Sequence, residues 1–183
     1  FRSTPSLQQA ISDQPVIYSD GCHVRFTPTA PKKGCSFGDL TSSTVVGLYG
    51  DSHAAQWFPT LEKLARERNF ELISLTKSAC PGPAVLKVET GEYKNADCSA
   101  WRDYAYKRIA SINPDAVLVS GFQHFEVPSK FSSRTRWWRE GEAKTYKALK
   151  GKSPRIIYIS DTPHPNRDIP SCIAAGRLDR CNG

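Results

Sequence analysis

Thr44-Val-Val-Gly-Leu-Tyr-Gly-Asp-Ser-His-Ala-Ala-Gln-Trp57 decides the architecture of this chain. Its first half is a short apolar run rich in β-branched residues, the pattern of a buried strand. From Ala54 onward, Ala54, Trp57, Phe58, Leu61, Leu64 and Ala65 recur at helical spacing. A strand that turns directly into a helix is the opening unit of an α/β fold. The turn itself is Gly50-Asp-Ser-His53, which puts the Ser52 hydroxyl at the carboxyl edge of a strand and the amino end of a helix. Open parallel sheets bind ligands at that edge. The free N–H groups and dipole of a helix start can also stabilise a developing oxyanion. Ser52 is therefore the first candidate nucleophile. The simpler roles open to this turn are a helix cap at Ser52 and a backbone brace at Asp51.

Working outward, the alternation continues. Strands are expected over Val45–Tyr49, Glu71–Leu75, Ala116–Ser120 and Arg155–Ser160. Helices are expected from Ala54 for about fifteen residues, around Ser99–Ile112, and over residues 140–149, with Asn113-Pro114 as a stop signal. The stretch between Ser120 and Trp138 reads as irregular. Strands alternating with helices predict a parallel sheet with right-handed crossovers. Residues 1–43 carry Pro15, Pro28, Pro31 and Gly34 and little periodicity. They read as an irregular N-terminal extension with a short helix near Ser6–Ser12, leaving 44–183 as the α/β domain.

The 183 residues suffice for one sizeable core. No apolar run approaches the roughly eighteen residues needed to span a bilayer. Phe1 reads as a cut end, so a targeting segment or membrane anchor is expected outside the chain. The net charge is +7, but the basic residues form no aromatic-laced stripe, which argues against a nucleic-acid partner. Their densest run, Lys130 to Arg139, reads as a solvated face or a surface for anionic glycan or lipid headgroups.

Six cysteines fall as three sequence-near pairs: Cys22 with Cys35, Cys80 with Cys98, and Cys172 with Cys181. Fifteen pairings are possible, and the nearest-neighbour set is the one chosen here. No Cys-x-x-Cys or His-x-x-x-His spacing supports zinc, and no metal or other cofactor is implied. Each loop closure would contribute about 3 kcal/mol. Disulfides point to an oxidising compartment, hence periplasm, cell surface or secretion.

A serine nucleophile needs a base, and the chain offers His23, His53, His124 and His164. His53 is adjacent to Ser52, and neighbouring helical side chains diverge. His124 follows the third expected strand and His164 the fourth. Asp161 and His164 form Asp-x-x-His, in which a carboxylate could orient an imidazole as in a catalytic triad. Gly121 and Gln123, after the third strand, are candidate oxyanion neighbours beside the N–H groups at Ser52.

Val45 to Trp57, followed by Thr76-Lys-Ser-Ala-Cys-Pro81, resembles the SGNH-like domain fused to membrane acyltransferases of the type-3 family. Gly21-Cys-His23, Cys35 to Asp39, Asp161-Thr-Pro163 and Ile169-Pro-Ser-Cys172 are similar too. The resemblance implies a flavodoxin-like three-layer fold and Ser52 as nucleophile. It also implies bacterial O-acylation, commonly O-acetylation, of an envelope saccharide. A fused or associated membrane half would deliver the acyl group, and an outward-facing, membrane-tethered domain would pass it to a sugar hydroxyl. The chain departs from that pattern in two places. General SGNH hydrolases carry a Gly-x-Asn-Asp block, where this sequence has Gly121-Phe-Gln-His124. The family's Asp-x-x-His lies near the domain's C-terminus, after one more strand and before a final helix. Here nineteen residues follow His164 with no fifth strand in the pattern, and Asp161-Thr-Pro-His164 is more similar to the family's earlier Asp-x-Pro segment. The expectation is a domain truncated at its C-terminus, with its base either His164 or a later histidine. Two rival readings are a secreted esterase and a glycan-binding module that stacks sugars on Trp57, Trp101, Trp137 and Trp138.

Overall fold

Six strands form one sheet: β1 (His23–Val24), β2 (Ser36–Gly38), β3 (Val45–Gly50), β4 (Glu71–Lys77), β5 (Ala116–Ser120) and β6 (Ile156–Tyr158). The computed structural model describes residues 12–164 and 169–175, together with Ser6, Gln9 and Cys181. The spatial order is β1-β4-β3-β5-β6, with every pairing along it parallel, while β2 runs antiparallel to β4. Without β1 and β2, the strands run 2-1-3-4 in order of appearance, the flavodoxin-like arrangement. The order reverses between β3 and β5, so the functional edge lies where Gly50 and Ser120 end their strands.

Helices cover both faces. On one side lie α1 (Ser52–Ala55) and α2 (Phe58–Glu67), where Ala54, Ala55, Phe58 and Ala65 pack with Leu48 and Leu72. On the other lie α3 (Asn95–Ile112) and α4 (Arg134–Leu149), where Trp101, Ala105, Ile109 and Leu149 pack with Tyr49, Ile73, Leu75, Val117 and Val119. Leu48 and Tyr49 thus bury opposite faces, as the two-residue period of a strand requires. The result is the expected three-layer α/β fold.

Four differences from the sequence reading have physical causes. The first expected helix is two, because Pro59 has no N–H for the Ala55 carbonyl and instead sits in the first turn of α2. Helix α4 begins six residues early, at Arg134, where the Ser133 hydroxyl accepts the Arg136 N–H as an N-cap. Its buried Trp137 and Trp138, with Trp101 of α3, are core residues and offer no stacking face to a glycan. Residues 15–43 are not an extension: β1 and β2 share the outer edge of β4, one pairing with Thr76 and Lys77 and the other with residues 71–73. The Cys22–Cys35 disulfide joins the residues that immediately precede those two strands.

These elements lie in a unit spanning residues 15–161. A second unit comprises residues 1–14 with 162–183. It contains α5 (Ile169–Ala174) and the Cys172–Cys181 disulfide. Gln9 and Ser12 of the expected N-terminal helix are helical, and most of that stretch lies outside the described residues.

Candidate functional site

The turn after β3 owes its shape to Gly50, whose φ is +151° and whose added Cβ would lie 2.0 Å from the Ser120 carbonyl oxygen. Only glycine lets β3 end this close to β5. Asp51, fully buried, then caps α1: one carboxylate oxygen accepts the His53 N–H at 2.8 Å and the other accepts the Phe122 N–H at 3.0 Å. Burial pushes its carboxyl above the usual range, against the pull of those two N–H donors. The cap is therefore Asp51, and Ser52 is the first helical residue. Its half-buried hydroxyl is spent on no cap and has no hydrogen-bond partner among the described residues.

Asp161, three residues beyond β6, is brought to the same edge. One oxygen meets His53 Nδ1 at 2.5 Å and the other accepts the Gln123 N–H at 2.9 Å. Consecutive N–H groups of the loop after β5, at Phe122 and Gln123, are thus held by the two carboxylates from the neighbouring strand ends. Arg134, at the start of α4, closes the same loop from outside by donating to the Gln123 and Phe125 carbonyls. Gly121 has no left-handed φ; it is small because Pro81 lies against it, at 2.6 Å from an added Cβ. A network of this kind fixes what surrounds Ser52 without bonding to it.

Sequence reasoning placed Ser52, Asp161, Gly121 and Gln123 near one edge, and the structure brings the strands carrying them together there. It pairs Asp161 with His53, where the sequence paired it with His164; 108 positions separate the observed partners, and no local spacing signals their contact. His164 is exposed and lies in the second unit. The Gln123 backbone N–H is already engaged by Asp161. Among the described residues no group of three His, Cys, Asp or Glu side chains could hold a metal ion.

Two lysines and His23 take structural places that local spacing does not signal. Lys77 Nζ donates to the Arg25, Phe26 and Pro28 carbonyls, tying down the loop after β1, and burial lowers its pKa to about 8. His23 Nδ1 lies 3.0 Å from Thr76 Oγ1 and its Nε2 3.0 Å from Ser78 Oγ. A cavity of about 580 Å³ opens beside Phe122 and is lined by Lys87, Tyr93, His124 and Phe125, among others.

A family model described as "SGNH domain (fused to AT3 domains)" matches residues 21–183. No curated protein matches the chain. Among solved structures, the periplasmic domain of a lipopolysaccharide acetyltransferase from Salmonella ser. Paratyphi A superposes with a TM-score of 0.60 at 18% sequence identity. The alignment covers 79% of this chain and 56% of that one, so the chain spans little more than half of the domain it matches. At that identity the likeness is one of fold.

Proposed function

This chain belongs to the family of SGNH domains fused to AT3 domains, and from that premise we propose that it is the acyl-transferring domain of a bacterial envelope O-acyltransferase, with Ser52 as nucleophile. The observation that carries the reading is the division of labour at the turn. Asp51 does the capping, so the adjacent hydroxyl sits unspent at the strand-order reversal, at the start of a helix.

In the proposed cycle Ser52 Oγ attacks the acyl carbonyl of a donor supplied by an AT3 membrane domain, and a histidine base takes the hydroxyl proton. The oxyanion is held by N–H groups at the start of α1, with Gly121 and the Gln123 side chain beside it. The donor's leaving group departs with a proton, leaving Ser52 acylated. A saccharide hydroxyl then attacks the ester, its proton passes to the same base, and Ser52 is restored. The acyl group proposed is acetyl. Three disulfides support an extracytoplasmic location, and the family's AT3 fusion supports tethering to the membrane.

Intact-mass spectrometry after treatment with a fluorophosphonate tests the nucleophile. One adduct is expected, absent from Ser52→Ala. An adduct that persists in Ser52→Ala, or glycan acylation retained in cells carrying that variant, overturns the assignment. Product analysis with and without an acceptor glycan separates transfer from hydrolysis, since only exclusion of water distinguishes the two.

A further inference from the structure

Lys87 is 7% exposed, an unusual place for an ammonium. It is held there deliberately. The Asn95 side chain clasps its backbone, accepting the Lys87 N–H at 3.1 Å and donating to the Lys87 carbonyl at 2.9 Å. Tyr93 in turn donates its hydroxyl to the same Asn95 oxygen at 2.8 Å. Lys87 Nζ donates to the Ala79 carbonyl at 3.0 Å and lies 3.8 Å from the Tyr93 ring centroid and 3.2 Å from that of Phe125. Among the described residues no carboxylate lies within ion-pair distance of it. A carbonyl and two ring faces stabilise a cation without neutralising it. Burial lowers the Lys87 pKa to about 8, outweighing the Asp51 carboxylate, which favours the charged form from beyond ion-pair distance, so an anion bound beside Nζ would favour the ammonium further.

Lys87 faces the cavity of about 580 Å³, a size suited to one or two sugar rings. Phe26, Tyr93, Phe122 and Phe125 supply apolar ring surface, while the carboxylates that line it, Glu92 and Glu126, belong to exposed residues at its rim. Phe122 connects the cavity to the candidate site: its ring lies 4.7 Å from that of His53, centroid to centroid, and its N–H is bound to Asp51. We propose that this cavity is the acceptor subsite, and that it takes a saccharide bearing an anionic group, carboxylate or phosphate, which pairs with the Lys87 ammonium while the sugar ring packs on the aromatic wall. The assignment rests on the acyl-transfer reading for its meaning, but binding can be measured without any turnover.

Calorimetric titration of the Ser52→Ala chain with glucuronate, glucose 6-phosphate and glucose is the test, with amide chemical-shift mapping of the same mixtures. At least one charged sugar is expected to bind tenfold or more tightly than glucose, with the largest shifts at Val88, Tyr93 and Phe122. The stronger of the two identifies carboxylate or phosphate as the group recognised. Lys87→Gln should abolish the preference and Lys87→Arg should retain part of it. Equal binding of charged and neutral sugars, no binding of any, or shifts elsewhere on the chain overturns the subsite. The charged-against-neutral comparison needs no variant at Lys87 to fold. The fluorophosphonate result on Ser52 is independent of it, so either reading can fail alone.

Discussion

His23 is 2% exposed, stacked on Tyr18 with ring centroids 4.1 Å apart, and bonded through both ring nitrogens to hydroxyls. Burial, helped by the nearby Lys77 charge, lowers its pKa to about 4 from an ordinary 6.5. Between those two values the unfolded chain binds a proton that the folded chain refuses, so stability rises with pH across that window and falls as pH drops from 6.5 toward 4. The full difference is about 3 kcal/mol. Urea unfolding of the wild type at pH 7 and pH 4.5, compared with His23→Gln, should show a smaller acid loss in the variant. An identical loss would place the acid sensitivity elsewhere. The same residue scale shows the limit of local reading at the site: Asp51 and Ser52 were legible in Gly-Asp-Ser-His, but which one caps the helix depends on where Phe122 presents its N–H.

Strand and helix signals held where the pattern was strong. The apolar run of β3 and the Asn113-Pro114 stop after α3 both read from sequence; Asn113 takes the left-handed conformation, φ 51°, that ends a helix. Elements failed where a single residue outvoted the pattern, as at Pro59, which divides α1 from α2. Gly50 is the other such residue. Gly50→Ala forces a Cβ onto the Ser120 carbonyl and Ala54 Cβ, so the end of β3 must part from β5. A loss of about 3 kcal/mol is expected, read as a lower urea midpoint. Because the strand ends also position the site, fluorophosphonate labelling of Ser52 should slow in the folded fraction of the same variant. A variant as stable as the wild type would show that the strand ends can separate without cost.

At the scale of the molecule, the outer edge of β4 is divided between two strands of two and three residues, too short to hold by pairing alone. Lys77 and the Cys22–Cys35 disulfide do the holding: one ties down the loop after β1, the other joins the chain just before β1 to that just before β2. Replacing both cysteines by serine should cost about 3 kcal/mol through the lost loop closure. In hydrogen exchange the amides of β1 and β2 should open first, while β3 and β5 keep their protection. Uniform loss of protection would mean that this edge and the central strands unfold as one unit.

The α/β class, the edge that carries Ser52 and the nearest-neighbour cysteine pairing were all legible in the sequence, because periodicity, turn residues and loop closure act over a few positions. Whole-chain composition added the expectation of an oxidising compartment. The tertiary structure decided the rest: that residues 15–43 complete the sheet, that Asp161 meets His53 across 108 positions, and that Lys87 lies beneath two aromatic rings beside Phe122. Such contacts arise when strand order folds distant segments onto one edge, and they leave no periodic mark on the chain. Each of the three therefore depends on where the backbone goes, whereas a strand or a capped helix depends mainly on the residues that form it.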